Sequence, residues 1–403
     1  MARIQYLLRV GIIPLFLAWR LFGFMFAYIA TFTVPYLGHF SHPSTLAQYN
    51  VPQWVKGFAQ FDGIFYLRIA QYGYSQFEQA FFPLYPILIK VMAQIIGANY
   101  LATSLLITNV SFLVGLFVFR KYLAAVLPKN KQKNIVFVIF FLLLFPTSFF
   151  FGASYTEGLF FLLVVSTLYF LHKKNYWLVA LFVFLASLTR FIGVFLFIPV
   201  LVSYFPDLKS RSPILKNRDG LLFGLAQGGR ATGKYLAIVS PFLGLTTYIY
   251  YLWLSTGNPL AFFTSQTAFG AGRSTQLILL PQVLFRYLKI LVTARLDIVY
   301  FVAFLELCTF LLIFTALLHQ LKILLRSKDK GLLGLNLFSF VNLVVPTFTG
   351  TLGSIPRYGL LSLSFFIYLG ILRNTNTKLG LCLIFFLLHV ALLTLFIQGY
   401  FVS

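Results

Sequence analysis

Residues 10–31 read VGIIPLFLAWRLFGFMFAYIAT, a run with a single charge, Arg20. About 20 apolar residues are enough to cross the hydrocarbon core of a bilayer as a helix. Arg3 and Arg9 precede the run, and no small-residue cleavage site follows it. It therefore reads as an uncleaved first span with the N-terminus in the cytoplasm. The rest of the chain repeats the pattern: 60% of its residues are hydrophobic and 10% charged, with a mean hydropathy of +0.89. A soluble domain carries about 25% charged residues. The expected fold class is all-α, a polytopic helical membrane protein. The alternating segments of about ten residues that a barrel requires are absent.

The net charge of +23 is concentrated in short stretches between apolar runs. With the N-terminus, the stretches Arg120–Lys133, His172–Asn175, Pro206–Lys234, Leu321–Gly331 and Arg373–Lys378 hold 21 of the 31 Lys and Arg residues. That asymmetry places these loops inside. Nucleic acid is not an expected partner, because no basic stripe is interleaved with aromatics. Cys308 and Cys382 both lie in apolar runs, which argues against a disulfide framework or a cysteine metal site.

Two apolar stretches do not fit as spans. In FFPLYPILIKVMAQIIG (81–97), Leu84, Ile87, Leu88, Val91 and Ile95 recur at helical spacing, with Lys90 and Gln94 on another face. PQVLFRYLKILVTAR (281–295) carries Arg286, Lys289 and Arg295. Both are expected to lie in the membrane interface. About 11 spans remain, near 10–31, 101–119, 134–150, 155–171, 176–189, 191–205, 235–254, 298–319, 332–347, 358–372 and 379–399. The C-terminus then lies outside. Residues 1–403 read as one transmembrane domain, with outer loops at 32–100 and 255–297 and a cytoplasmic loop at 206–234. Only eight acidic residues occur. Asp62, Glu78, Glu157 and Asp297 fall outside or at the outer interface, whereas Asp207, Asp219 and Asp329 sit among basic cytoplasmic residues. Glu306 alone is in mid-span, where an unpaired carboxylate is costly, and Arg20 is its expected partner.

Polar chemistry gathers on the outer side. The first loop contains GFAQFDGIFYLRIAQYGY (57–74), with Asp62 and Arg68. The hairpin FPTSFFFGASYTEGLFF offers Tyr155 and Glu157, the turn ASLTRFIG offers Arg190, and the late loop GTLGSIPRYG offers Arg357 and Tyr358. Carboxylates and guanidiniums together suit glycosyl transfer from a lipid-phosphate sugar. A base takes the proton of the attacking hydroxyl, arginine holds the departing phosphate, and a carboxylate steadies the oxocarbenium-like transition state.

The ordered pieces FDGIFYLRIAQYGY, FFPLYPILIKVM, PTSFFFGASYTEGLFFLL, ASLTRFIGV and PRYGLLSLSFF resemble the GPI mannosyltransferase 2 (PIG-V) family. More widely, they resemble the GT-C integral-membrane glycosyltransferases. The resemblance spans roughly residues 55–370. It implies an outward-facing site, a polyprenyl- or dolichyl-phosphate mannose donor, a glycolipid or glycan acceptor and inversion at the anomeric carbon. It also implies interfacial helices in the first large loop. Asp62 matches the family's first-loop base, Tyr155 and Glu157 its YTE hairpin, Arg190 its TR turn, and Arg357 with Tyr358 its late RY. Phe61 stands where family members often have Trp, and 206–234 and 255–295 have no counterpart.

Plainer roles exist for each residue: a helix N-cap for Asp62, a dipole partner for Glu157, interface anchors for Arg68 and Arg357, and a structural ion pair for Arg190. His39 and His42 raise a metal site with Asp62. No cofactor is firmly implied, and a divalent metal stays open. GGRATGK (228–234) imitates a phosphate loop, but Tyr235 replaces the required Ser or Thr and no strand precedes it. Asn109-Val110-Ser111 is a glycosylation sequon inside a span. The rival class is a transporter or flippase of a lipid-linked sugar, followed by a non-catalytic subunit. Acceptor, linkage, donor sugar and host membrane stay open, the last between a prokaryotic plasma membrane and the endoplasmic reticulum.

Overall fold

The computed structural model describes residues 11–38, 43–209, 221–269, 272–327 and 329–402, and no strand occurs among them. Helices of eight residues or more are, in chain order, α1 (Ile12–Thr33), α2 (Asp62–Tyr72), α3 (Leu84–Ile96), α4 (Tyr100–Val126), α5 (Ile135–Leu144), α6 (Glu157–His172), α7 (Tyr176–Thr189) and α8 (Phe197–Lys209). They continue as α9 (Leu221–Thr256), α10 (Leu280–Thr293), α11 (Ile298–Ser327), α12 (Lys330–Val344), α13 (Leu363–Gly370) and α14 (Thr375–Ile397).

Capping residues explain several boundaries. The side chains of Asn99, Asn175, Asp329 and Asn374 accept hydrogen bonds from the first-turn amides of α4, α7, α12 and α14. Asp297 does the same for α11, through Tyr300 N at 2.9 Å. Asp329, placed by the sequence only among basic cytoplasmic residues, is thus a helix cap.

Six helical segments are long and apolar enough to cross a membrane: Ile12–Thr33, Tyr100–Val126, Ala231–Thr256, Ile298–Ser327, Lys330–Thr349 and Thr375–Ile397. They turn large apolar side chains outward, among them Leu21, Phe32, Trp253, Leu254 and Leu387. A contiguous exterior of that kind suits lipid and not water. The other expected spans fall on α5, α6, α7, α8 and α13, which have 10, 16, 14, 13 and 8 residues. Tight 3-10 turns at Ser148–Gly152, Phe191–Leu196 and Gly359–Leu361 interrupt the apolar runs and explain these short helices.

α3 and α10 have 13 and 14 residues, about 20 Å each and too short to cross. α3 buries Tyr85, Ile89 and Ala93 and exposes Ile87, Val91 and Ile95 beside Lys90 and Gln94. Residues 228–234 lie within α9, so the stretch that imitates a phosphate loop is helical and the expected 206–234 loop is shorter.

The core is phenylalanine-rich. α4 packs on α6, α6 on α7, α7 on α9, α8 on α12, and α14 on both α1 and α5. Close approach at α4–α6 depends on Gly158, where a Cβ would stand 2.5 Å from the Thr108 carbonyl oxygen. Gly158→Val should lower the thermal midpoint in detergent, at a cost of roughly 1–3 kcal/mol. Gly380→Val, at a glycine with open space around it, should leave the midpoint unchanged.

Candidate functional site

Asp62 opens α2 as its first residue, but its carboxylate does not cap the helix. Oδ2 accepts a 2.6 Å hydrogen bond from Arg357 Nη1. The chain just before Asp62 is fixed. Gln60 donates to Ile397 O at 2.6 Å, and Tyr155 OH donates to Gln60 O at 2.7 Å. Phe61 adopts φ +55°, a region that β-carbon-bearing residues enter at a cost of about 1–3 kcal/mol. Its ring packs on Phe396 and Phe401 at the end of the chain.

The ion pair extends into a chain. Glu157, the first residue of α6, accepts from Arg190 Nη1 at 2.6 Å and lies 3.7 Å from Arg357 Nε. Glu157 and Arg357 are 1% and 7% exposed. Burial disfavours the charge on Arg357, but Asp62 foremost, with Tyr358 and Glu157, outweighs it and raises its pKa well above the ordinary value. Arg190 follows the same logic: burial opposes its charge, and Glu157 reverses the balance. Charge alternates along the series Asp62, Arg357, Glu157, Arg190.

The short helix Ile355–Tyr358 that carries Arg357 is held from three sides. Thr147 donates to Pro356 O at 2.7 Å and Asn342 to Tyr358 O at 2.7 Å. From the third side, Glu306 accepts the Ser354 amide at 3.1 Å and the Tyr287 hydroxyl at 2.6 Å. Those contacts correct the expected Arg20–Glu306 pair. Arg20 instead lies over the rings of Phe24 and Phe58, 4.0 and 4.5 Å from their centroids.

These groups surround a cavity of about 390 Å³. Of the residues expected from sequence, Asp62, Tyr155, Glu157, Arg190, Arg357 and Tyr358 line it. Arg68 is not among the lining residues. It pairs with Glu78 at 3.0 Å, and Glu78 also accepts the Ser75 amide, bracing the loop after α2. His39 and His42 lie outside the described residues. Among the described residues no cluster of three His, Cys, Asp or Glu side chains is placed to hold a metal ion.

Sequence reasoning missed one wall. Residues 262–269 and 273–277 place Phe262, Phe263, Gln266, Phe269, Arg273 and Leu277 along the cavity. Phe269 meets Phe65 and Phe81 edge-on at 5.0 and 5.1 Å, closing this wall against the first loop. One signal existed: Arg273 is the only charged residue between Lys234 and Arg286.

No protein-family model, no curated protein and no solved structure matches this chain.

Replacing Arg357 with Met should destabilise the protein by on the order of 3 kcal/mol, because Asp62 loses its 2.6 Å partner and buried Glu157 loses one of its two neighbouring cations. Adding Asp62→Asn to Arg357→Met should recover part of that loss, because it neutralises the carboxylate that lost its 2.6 Å partner, whereas adding Glu157→Gln should not, because it also strands Arg190. Thermal unfolding of the single and double variants in detergent checks these expectations.

Proposed function

We propose that this chain is a membrane-embedded glycosyltransferase that takes a sugar from a lipid-phosphate donor. Within that class, the proposal is a mannosyltransferase using polyprenyl- or dolichyl-phosphate mannose, with a glycolipid or glycan hydroxyl as acceptor. The observation that carries it is the convergence of Asp62, Glu157, Arg190 and Arg357, from four distant segments, on one cavity with aromatic walls. The same segments carry the resemblance to the PIG-V family and the wider GT-C enzymes. In that reading the chain threads the membrane about 11 times, the short helices together with their 3-10 turns making the extra crossings. The cavity then opens on the extracytoplasmic or lumenal side, with α3 and α10 lying in the interface.

Asp62 is the proposed general base. Arg357 occupies Oδ2, the side chain remains 30% exposed, and Oδ1 is left for an acceptor hydroxyl. The hydroxyl oxygen attacks the anomeric carbon as the carboxylate takes its proton. The C–O bond to the phosphate breaks, its electron pair leaves with the phosphate, and configuration inverts. Glu157 is too deeply buried to act as a second base. It serves by holding Arg190 and Arg357 in place, so the donor meets a fixed charge pattern.

Purified protein should transfer radiolabelled mannose from synthetic polyprenyl-phosphate mannose to acceptors in a lipid and glycan extract. Asp62→Asn should cut the rate by roughly 10²–10⁴-fold. It should also lower the thermal midpoint because Arg357 loses its 2.6 Å partner, so rates are compared on protein shown to be folded at the assay temperature. Equal rates in both proteins would overturn Asp62 as the base.

A further inference from the structure

The cavity contains three arginines, and they are not equivalent. Arg190 and Arg357 each lie 2.6 Å from a carboxylate oxygen. Arg273 makes no ion pair with a carboxylate among the described residues. Its Nη1 donates to Gln266 Oε1 at 2.8 Å and its Nη2 to Tyr358 OH at 3.5 Å, both neutral partners. Three arginines but only two carboxylates, Asp62 and Glu157, line the cavity. Glu306 also feels Arg273 but does not line the cavity, and its two oxygens are taken by Tyr287 OH and Ser354 N. Arg273 is therefore the lining cation without a carboxylate ion pair.

The wall that carries Arg273 is anchored. Ser274 N donates to Thr349 O at 2.8 Å and Ile278 N to Phe348 O at 3.0 Å. Gln266 fixes one edge of the guanidinium, which leaves further N–H groups for a ligand. Beside it, Ser274, Thr275 and Gln276 also line the cavity. Phe263 and Leu277 belong both to the cavity lining and to the exposed apolar exterior. One ligand with a charged head and an apolar tail matches this sequence of surroundings.

We propose that Arg273 is the anion-binding residue of the cavity and takes the singly charged phosphodiester of a lipid, whose tail leaves past Phe263 and Leu277. Arg190 and Arg357 then position the carboxylates and are not the principal phosphate ligands. A planar guanidinium already oriented by Gln266 suits two phosphodiester oxygens. One lining cation without a carboxylate ion pair matches a monoanion better than a diphosphate. The inference rests on the glycosyl-transfer reading for the sugar that the lipid carries, not for the anion site itself.

The test uses the full chain in phosphatidylcholine nanodiscs, titrated calorimetrically with short-chain prenyl phosphate mannose, and measures transfer in parallel. Arg273→Gln should weaken binding roughly ten- to a hundredfold, and Arg273→Lys should restore part of it. Gln266→Leu should give a milder loss if the larger change perturbs folding. Asp62→Asn should bind at least as tightly as wild type, because it releases the charge of Arg357, while failing to transfer. Nanodiscs containing phosphatidylglycerol separate the two lipid sources. Competition that depends on Arg273 assigns the site to phospholipid head groups in general, and its absence assigns it to the isoprenoid carrier. Wild-type binding and transfer that survive unchanged in Arg273→Gln would overturn this inference and leave the transferase reading standing. Wild-type protein that binds neither lipid would overturn both.

Discussion

The carboxylate–guanidinium series from Asp62 through Arg357 and Glu157 to Arg190 is the constraint around which the polar half of the molecule is organised. Each member would be costly to bury alone, because desolvating a single ion costs several kcal/mol. Together they alternate in sign, so each charge is answered by its neighbour. The condition is geometric: the starts of α2 and α6, the end of α7 and the turn before α13 must meet at one point. This requirement explains why these elements are short or broken by 3-10 turns, and why a strained Phe61 is tolerated next to Asp62. A helix running straight across the membrane would carry its terminal charges past the meeting point.

Glu306 shows how deep in the apolar body this requirement reaches. A carboxylate within α11 is expensive in a chain with eight acidic residues. Its two oxygens are both used: one takes Tyr287 OH, the other the amide of Ser354. Ser354 has φ +68° and starts the short helix that bears Arg357. Tyr287 OH also accepts the Leu352 amide at 3.1 Å. Glu306 and Tyr287 thus satisfy the backbone amides of Ser354 and Leu352, both of which are buried. The position of Arg357, and through it the orientation of Asp62, depends on a residue on a neighbouring long helix.

The sequence was legible where local chemistry decides. Long apolar runs led to six helices of spanning length, whereas five further expected spans fall on helices of 8–16 residues, a range that includes α3 and α10. Six of the seven expected site residues line the cavity because their motifs place them at helix starts and turns. Arg68 does not, and helical geometry gives the reason. It lies six residues after Asp62 on α2, which rotates it by about 240° and turns it away. The expected Arg20–Glu306 pair failed because hydropathy gives depth in a bilayer but not rotation about a helix axis. Residues 228–234 read as part of a basic cytoplasmic loop from their Arg and Lys, whereas α9 runs through them. Arg273 was missed because an isolated arginine in an uncharged irregular stretch has no periodicity, and its neighbours in space come from Gln266 and Tyr358.

The ionic series also bears on the choice between an enzyme and a carrier. Alternating access requires that the walls of a binding site separate first on one side and then on the other, as one bundle rocks against another. Here the walls are joined by buried ion pairs between α2 and the turn before α13, and between α6 and the end of α7. Breaking each would strand a charge away from water, at a cost of several kcal/mol that a carrier would meet in every cycle. A transferase asks for the opposite property. Its carboxylate and cations have to stay still while the donor's head group and the acceptor move, since a charge pattern that does not reorganise is what stabilises a developing oxocarbenium ion and a departing phosphate. In the proposed transferase reading, the ion pairs that join these walls and the exposed apolar residues Phe263 and Leu277 on the cavity lining suit chemistry on a lipid-borne substrate better than transport of that substrate.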